Sequence, residues 1–166
     1  MSHVFTLSLR TPPTGQTYRG IIDLALSCCN QAVLVTRASI ELDSSALAVL
    51  EQLQPYVIRK VAKATEWPGT TLHCSDLVPD NTATVYYFRF CTQSASILKD
   101  SVPELFSWRQ PEYPEDLCLV RPDGRTWLVS IAHEEDACFT LTAEEVDALL
   151  SALPGLDYVC REDSNF

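Results

Sequence analysis

His133 stands directly before three carboxylates, Glu134, Glu135 and Asp136. A histidine beside acids is the arrangement in this chain that comes nearest to chemistry. An imidazole titrates near neutrality, and a neighbouring carboxylate can orient it as a general base or share a metal ion with it. The spacing stops short of a signature. His3 and His73 are remote in sequence, and H-E-x-x-H fails because residue 137 is alanine. The alternative is a solvated or structural histidine in a hairpin loop. Cysteine chemistry has less support: Cys28 and Cys29 are adjacent, so they make no C-x-x-C pair, and no known signature flanks any of the seven cysteines. The nucleophile elbow, the phosphate-binding loop and the dinucleotide fingerprint are absent, and five glycines leave little of the backbone freedom such loops require. The sequence therefore assigns no catalytic residue, no metal and no cofactor.

Residues 106–116 offer interaction chemistry instead. Trp108, Arg109 and Tyr113 are of the types that dominate interface energetics, and they lie among Glu104, Glu112, Glu115 and Asp116. The prolines at 111 and 114 make residues 109–116 read as an extended, exposed connection. Trp108 has a second reading, as a plug for the core beneath that connection.

Charge sharpens the point. Residues 1–100 balance eight acids against eight Lys/Arg, whereas residues 101–166 carry fourteen acids and four arginines, so the whole net charge of −10 lies in the last part. Phosphate groups are repelled by such a surface, which argues against nucleic acid and anionic membranes as partners and for a basic protein partner. Solubility alone is the competing explanation. Arg59, Lys60 and Lys63 form a basic cluster too small to reverse this. No apolar run is long enough to span a bilayer, the first residues lack a secretory pattern, and irregularly spaced cysteines inside apolar runs suit a reducing compartment; the expectation is a cytoplasmic protein.

The elements that must carry these residues read as one α+β domain over 1–166, with a mixed or antiparallel sheet. Its clearest part is a C-terminal three-stranded meander over about 117–141. Arg121-Pro122-Asp123-Gly124 supplies hairpin chemistry between the first two strands. Alternation over 127–132 puts Trp127, Val129 and Ile131 on one face, with Leu128, Ser130 and Ala132 on the other. Thr142 with Glu145 is a capping box for a helix over 143–153, whose stripe is Val146, Leu149, Leu150 and Leu153. Helices are also expected over about 18–29 and 44–53, the latter capped by Asp43 with Leu47, Leu50 and Leu53 inward. Shorter helical pieces fall at 94–98 and 103–108. Strands are expected at 3–9, 32–36 and 82–91. Residues 56–65 fit either period, and their β-branched start favours a strand. Residues 66–70 read as a turn, 72–81 as a loop and 161–166 as a frayed tail.

Several blocks resemble a family of small bacterial cytosolic proteins: S-W-x-x-P-x-x-P-E-D-L over 107–117, W-L-V-S-I-A-H-E-x-D-A over 127–137, E-W-P-G-T over 66–70 and T-A-T-V-Y-Y-F over 82–88. In general character this family is similar to the immunity proteins that neutralise polymorphic bacterial toxins. That resemblance implies a non-enzymatic inhibitor, whose partner is a cognate protein toxin such as an ADP-ribosyltransferase or a nuclease. The expected contact set is Trp108, Arg109, Glu112, Tyr113, Glu115, Asp116, His133, Glu134, Glu135 and Asp136. Two other readings stand beside it: an enzyme with His133 as general base, and an adaptor that binds a secreted protein without inhibiting it.

Overall fold

A computed structural model describes residues 3–73 and 80–163. Strands with period-two alternation assemble into one sheet that runs through both halves of the chain. The elements are β1 (Val4–Leu9), α1 (Gly15–Ala25), β2 (Gln31–Arg37), α2 (Ser44–Leu53), β3 (Val57–Ala64), β4 (Glu66–Trp67), β5 (Thr70–Thr71), β6 (Ala83–Arg89), α3 (Thr92–Ser101), β7 (Glu115–Val120), β8 (Thr126–Ile131), β9 (Asp136–Thr142), α4 (Ala143–Ala152) and β10 (Tyr158–Asp163). The eight-stranded order is β10-β1-β9-β8-β7-β2-β6-β3, and every pairing is antiparallel. The fold is α+β, and the expected meander is β7-β8-β9. No helix among the described residues is long and apolar enough to cross a membrane.

Burial explains the layering. Leu7, Leu34, Phe88, Leu117, Leu119, Phe139 and Leu141 project from one sheet face into a core closed by Tyr18 and Ile22 of α1, Val49 and Leu53 of α2, Leu98 of α3 and Leu149 of α4. The other face is apolar in its β7-β2-β6 section, at Val33, Val35, Val85, Cys118 and Val120, where Trp67 covers it. Trp67 arrives on the short β4-β5 hairpin, which forms where a simple turn was expected. Gly69 at the tip of that hairpin has φ +86°, and a Cβ there would lie 2.4 Å from Val129 Cγ1. Only glycine combines that backbone with so close an approach.

Four local expectations are corrected. Helix α1 begins earlier and stops at Ala25 rather than residue 29. On α2 the inward stripe is Ala46, Val49 and Leu53, so Leu47 is exposed; the stripe is rotated by one residue, and apolarity alone does not fix which of two adjacent rows meets the sheet. Trp127 does not alternate with Leu128. The β7/β8 register slips between Leu119↔Leu128 and Val120↔Thr126, and the extra residue lets Trp127 join Leu128 in the helix-side core, edge-on to Phe139. Residues 161–163, expected to fray, belong to β10, which pairs along all of β1. Much of the loop expected over 72–81, and residues 164–166, lie outside the described residues.

The capping box of α4 forms as its sequence requires. Glu145 N donates to Thr142 Oγ1 at 3.3 Å, and Thr142 N donates to Glu145 Oε2 at 2.8 Å. Arg121, from the β7-β8 hairpin, adds a two-pronged ion pair to the same carboxylate and donates to Thr140 O at 2.7 Å. Burial raises the Glu145 pKa, but the Arg121 guanidinium and the Thr142 amide outweigh it, leaving the carboxyl below its ordinary 4.5. A depressed carboxyl stabilises the fold above its unfolded pKa and ceases to as pH falls through the folded value. The gap in urea midpoint between wild type and Glu145→Gln should therefore be open at pH 7 and close as pH drops below 4.5. A gap that persists at acid pH would show that the charge is not what matters.

Candidate interaction site around Asp116

The connection between α3 and β7 is not an exposed coil. A 3-10 turn over Leu105–Ser107 drives Phe106 and Trp108 inward. Trp108 is fully buried; its Nε1 donates to Tyr18 Oη at 3.0 Å, which donates in turn to Leu98 O at 2.6 Å. Burial pushes the Tyr18 hydroxyl far above its ordinary pKa, which keeps its proton in place as a donor. Tyr113 meets Trp108 edge-to-face at 5.8 Å. Gln110 is buried as well: its Oε1 accepts from Arg37 N at 2.6 Å, and its Nε2 donates to Ile40 O at 3.1 Å. Asp43 N donates to Pro111 O, and Ser45 Oγ to Glu112 O, which fastens the stretch to the start of α2.

This threading delivers Glu115 and Asp116 to the interior, at 4% and 0% exposure. Asp116 adopts a left-handed backbone, φ 59°. Its Oδ1 accepts from Ala132 N at 2.9 Å and its Oδ2 from Trp67 Nε1 at 3.1 Å. Glu115 Oε2 accepts from Arg37 Nε at 2.9 Å, and the Arg37 guanidinium lies 5.6 Å from the Trp67 ring centroid. A buried carboxylate is tolerated only when hydrogen-bonded or paired, and both of these are. Their placement overturns the reading of Trp108, Glu115 and Asp116 as surface contacts: the proline-rich stretch threads inward, where Tyr18, Arg37, Trp67 and Ala132 supply partners that no local sequence reveals.

Above Asp116 sits the acidic turn. Ala132–Glu134 forms a single 3-10 turn, and Glu135 closes it in the left-handed conformation (φ 51°, ψ 40°), its amide donating to Ala132 O at 3.1 Å. Among the described residues only Lys63, Asp116 and Glu135 combine a side chain with positive φ, so two of the three lie here. Backbone strain of this kind costs about 1–3 kcal/mol per residue and persists where surrounding structure imposes it. His133, Glu134, Glu135 and Asp136 are all exposed. His133 Nε2 lies 3.7 Å from Glu134 Oε1. Arg109 and Glu112 also stay on the surface, and Tyr113 is half-buried.

Glu115, Asp116 and His133 can each bring one ligand atom within 4.8 Å of the others. The donors already on the two carboxylates account for their burial. The arrangement works as a pedestal: the buried Asp116 holds the Ala132 amide, and the turn above presents its carboxylates to solvent. Surface hollows of about 430 Å³ at Arg19 and Lys99, and of about 420 Å³ at Trp67 and Tyr87, do not include His133.

Arg37, Trp67 and Gln110 are the members of this site that sequence reasoning missed. Arg37 at the end of a buried strand, with Trp67 before Pro-Gly, was the available signal. No family model, no curated protein and no solved structure matches this chain.

Proposed function

We propose that this protein is an immunity-type inhibitor, which binds a bacterial protein toxin and occludes a basic cleft with the turn over residues 132–136. The observation that carries the reading is an exposed run of three carboxylates fixed at its base by a buried one, through the Ala132 amide and the Asp116 side chain. A pre-ordered turn loses little conformational entropy on docking, and its charge speeds encounter with a cationic surface. His133 at the head of the turn, with Arg109, Glu112 and Tyr113 on the neighbouring connection, supplies packing and hydrogen bonds around the carboxylates. Trp108, Glu115 and Asp116 support this surface from below.

The test begins with a tagged pull-down from native lysate, then titration of the recovered toxin. Glu134→Lys with Glu135→Lys should weaken binding about 100-fold, equivalent to ~3 kcal/mol, and leave the melting temperature within a few degrees. Normal inhibition by that double variant would rule the acidic turn out as the contact surface. The proximity of His133 to Glu134 gives one other reading a specific basis, an enzyme with His133 as general base. His133→Ala separates the two, abolishing turnover in an enzyme and leaving an inhibitor largely intact.

A further inference from the structure

Where α1 ends, the chain tightens. Ser27 N donates to Leu24 O, and both Cys28 N and Cys29 N donate to Ala25 O, at 3.1 and 2.7 Å. Side chains of neighbouring residues point about 100° apart on a helix and to opposite faces on a strand. This irregular exit instead brings the two adjacent thiols together, Sγ to Sγ, at 3.9 Å. Cys29 lies in the helix-side core, and Cys28 is half-exposed at its rim. The thiol–thiol contact, in which either sulfur can donate, lowers the Cys28 pKa against the opposing effects of burial and the Glu145 carboxylate, with a smaller lowering from Arg121. The same contact and burial hold Cys29 protonated. The pair is thus one thiol at the rim in contact with a second, buried thiol beneath it.

Geometry decides what such a pair accepts. Disulfides span Cα separations of about 4.4–6.8 Å, whereas adjacent residues on a trans peptide are held at about 3.8 Å, so a Cys28–Cys29 bond would be strained. One bridging atom fits better. With bonds of about 2.3 Å, as in metal thiolates, and the roughly 100° angle of a pyramidal trivalent centre, two sulfurs on one atom stand roughly 3.5 Å apart, a small closure from the 3.9 Å between these thiols. A structural metal ion asks for four donors, and this pair offers two. A monosubstituted trivalent arsenical has just two exchangeable positions. We propose that Cys28 and Cys29 form a chelating dithiol site for a monosubstituted trivalent arsenical, a property independent of toxin binding. The Cys28 sulfur attacks arsenic and forms the first S–As bond. The Cys29 sulfur forms the second while the As–O bonds break. The two thiol protons leave with the oxygen as one water, and arsenic remains trivalent.

The probe is phenylarsine oxide, added in equimolar amount to the full-length protein, with intact and peptide mass spectrometry as the readout. Wild type should carry one adduct, on the peptide containing residues 28 and 29. Excess glutathione should leave that adduct in place, and 2,3-dimercaptopropanol should remove it. Cys28→Ser and Cys29→Ser should each lower the glutathione-resistant fraction at least tenfold, while Cys91→Ser and Cys160→Ser leave it unchanged. Cys28→Ser lies at the rim and can be checked for an unchanged melting curve, so its result stands even if Cys29→Ser unfolds. A wild-type adduct that glutathione strips as readily as from Cys28→Ser, or a resistant adduct surviving in Cys28→Ser, would overturn the proposal.

Discussion

Replacing Asp116 by alanine should destabilise the protein by about 3–5 kcal/mol, a large part of the ~5–15 kcal/mol that holds a domain of this kind together. The side chain is fully buried and accepts from Trp67 Nε1 and Ala132 N. Truncation leaves both donors without a partner in the interior, at about 1–3 kcal/mol each. Alanine must also adopt φ 59°, which aspartate tolerates better. Asp116→Asn tests the assignment more finely. It keeps the shape and the backbone preference but turns an amide nitrogen toward one donor, so roughly half of the loss is expected. Urea denaturation measures both variants. If Asp116→Ala unfolds at the wild-type midpoint, the pedestal under the acidic turn carries no stability. The same variants bear on the proposed inhibition: if the acidic turn is the contact with a toxin, a turn freed from its anchor has to be ordered on docking, and Asp116→Asn should weaken that binding even where the domain remains folded.

Trp108→Ala should cost about 3–5 kcal/mol, the range for removing a large aromatic side chain from a core. Trp108 has no exposed surface, packs edge-to-face on Tyr113 and donates to Tyr18. Trp108→Phe separates volume from hydrogen bonding. It retains most of the apolar contact and loses the donor to Tyr18 Oη, for which about 1 kcal/mol is expected, with a smaller cost from the unfilled ring volume. A Trp108→Ala protein of wild-type stability and impaired binding would return Trp108 to the contact surface and refute its structural role. Loss of stability, with binding unchanged at temperatures where the variant is folded, is the expected result.

The sequence was legible where local chemistry and periodicity agree. The meander β7-β8-β9 follows from apolar runs interrupted by Pro-Asp-Gly and by His133-Glu134-Glu135-Asp136. The capping box at Thr142 and Glu145 follows from four residues, and α4 begins there. The exposed acids at 133–136 were readable because a polar run between two strands has nowhere to go but solvent. Burial of Glu115 and Asp116 was not readable, and that of Trp108 was one of two readings the sequence left open. A proline-rich stretch looks the same whether it loops out or threads inward, and the difference lies in Arg37, Trp67 and Ala132, at 78, 49 and 16 residues along the chain from the groups they bind.

By itself, then, the sequence determined the strands of the meander, the helix that follows it, the strongly acidic C-terminal part and the exposed turn. Each rests on a local rule of turns, caps, periodicity or charge. Tertiary structure alone decided which acids face water and which are buried beneath them, which row of α2 meets the sheet, and that two adjacent thiols converge at the end of α1. Those outcomes depend on long-range pairing: a buried polar group is stable only beside its partner, and the chain brings that partner from a distant strand.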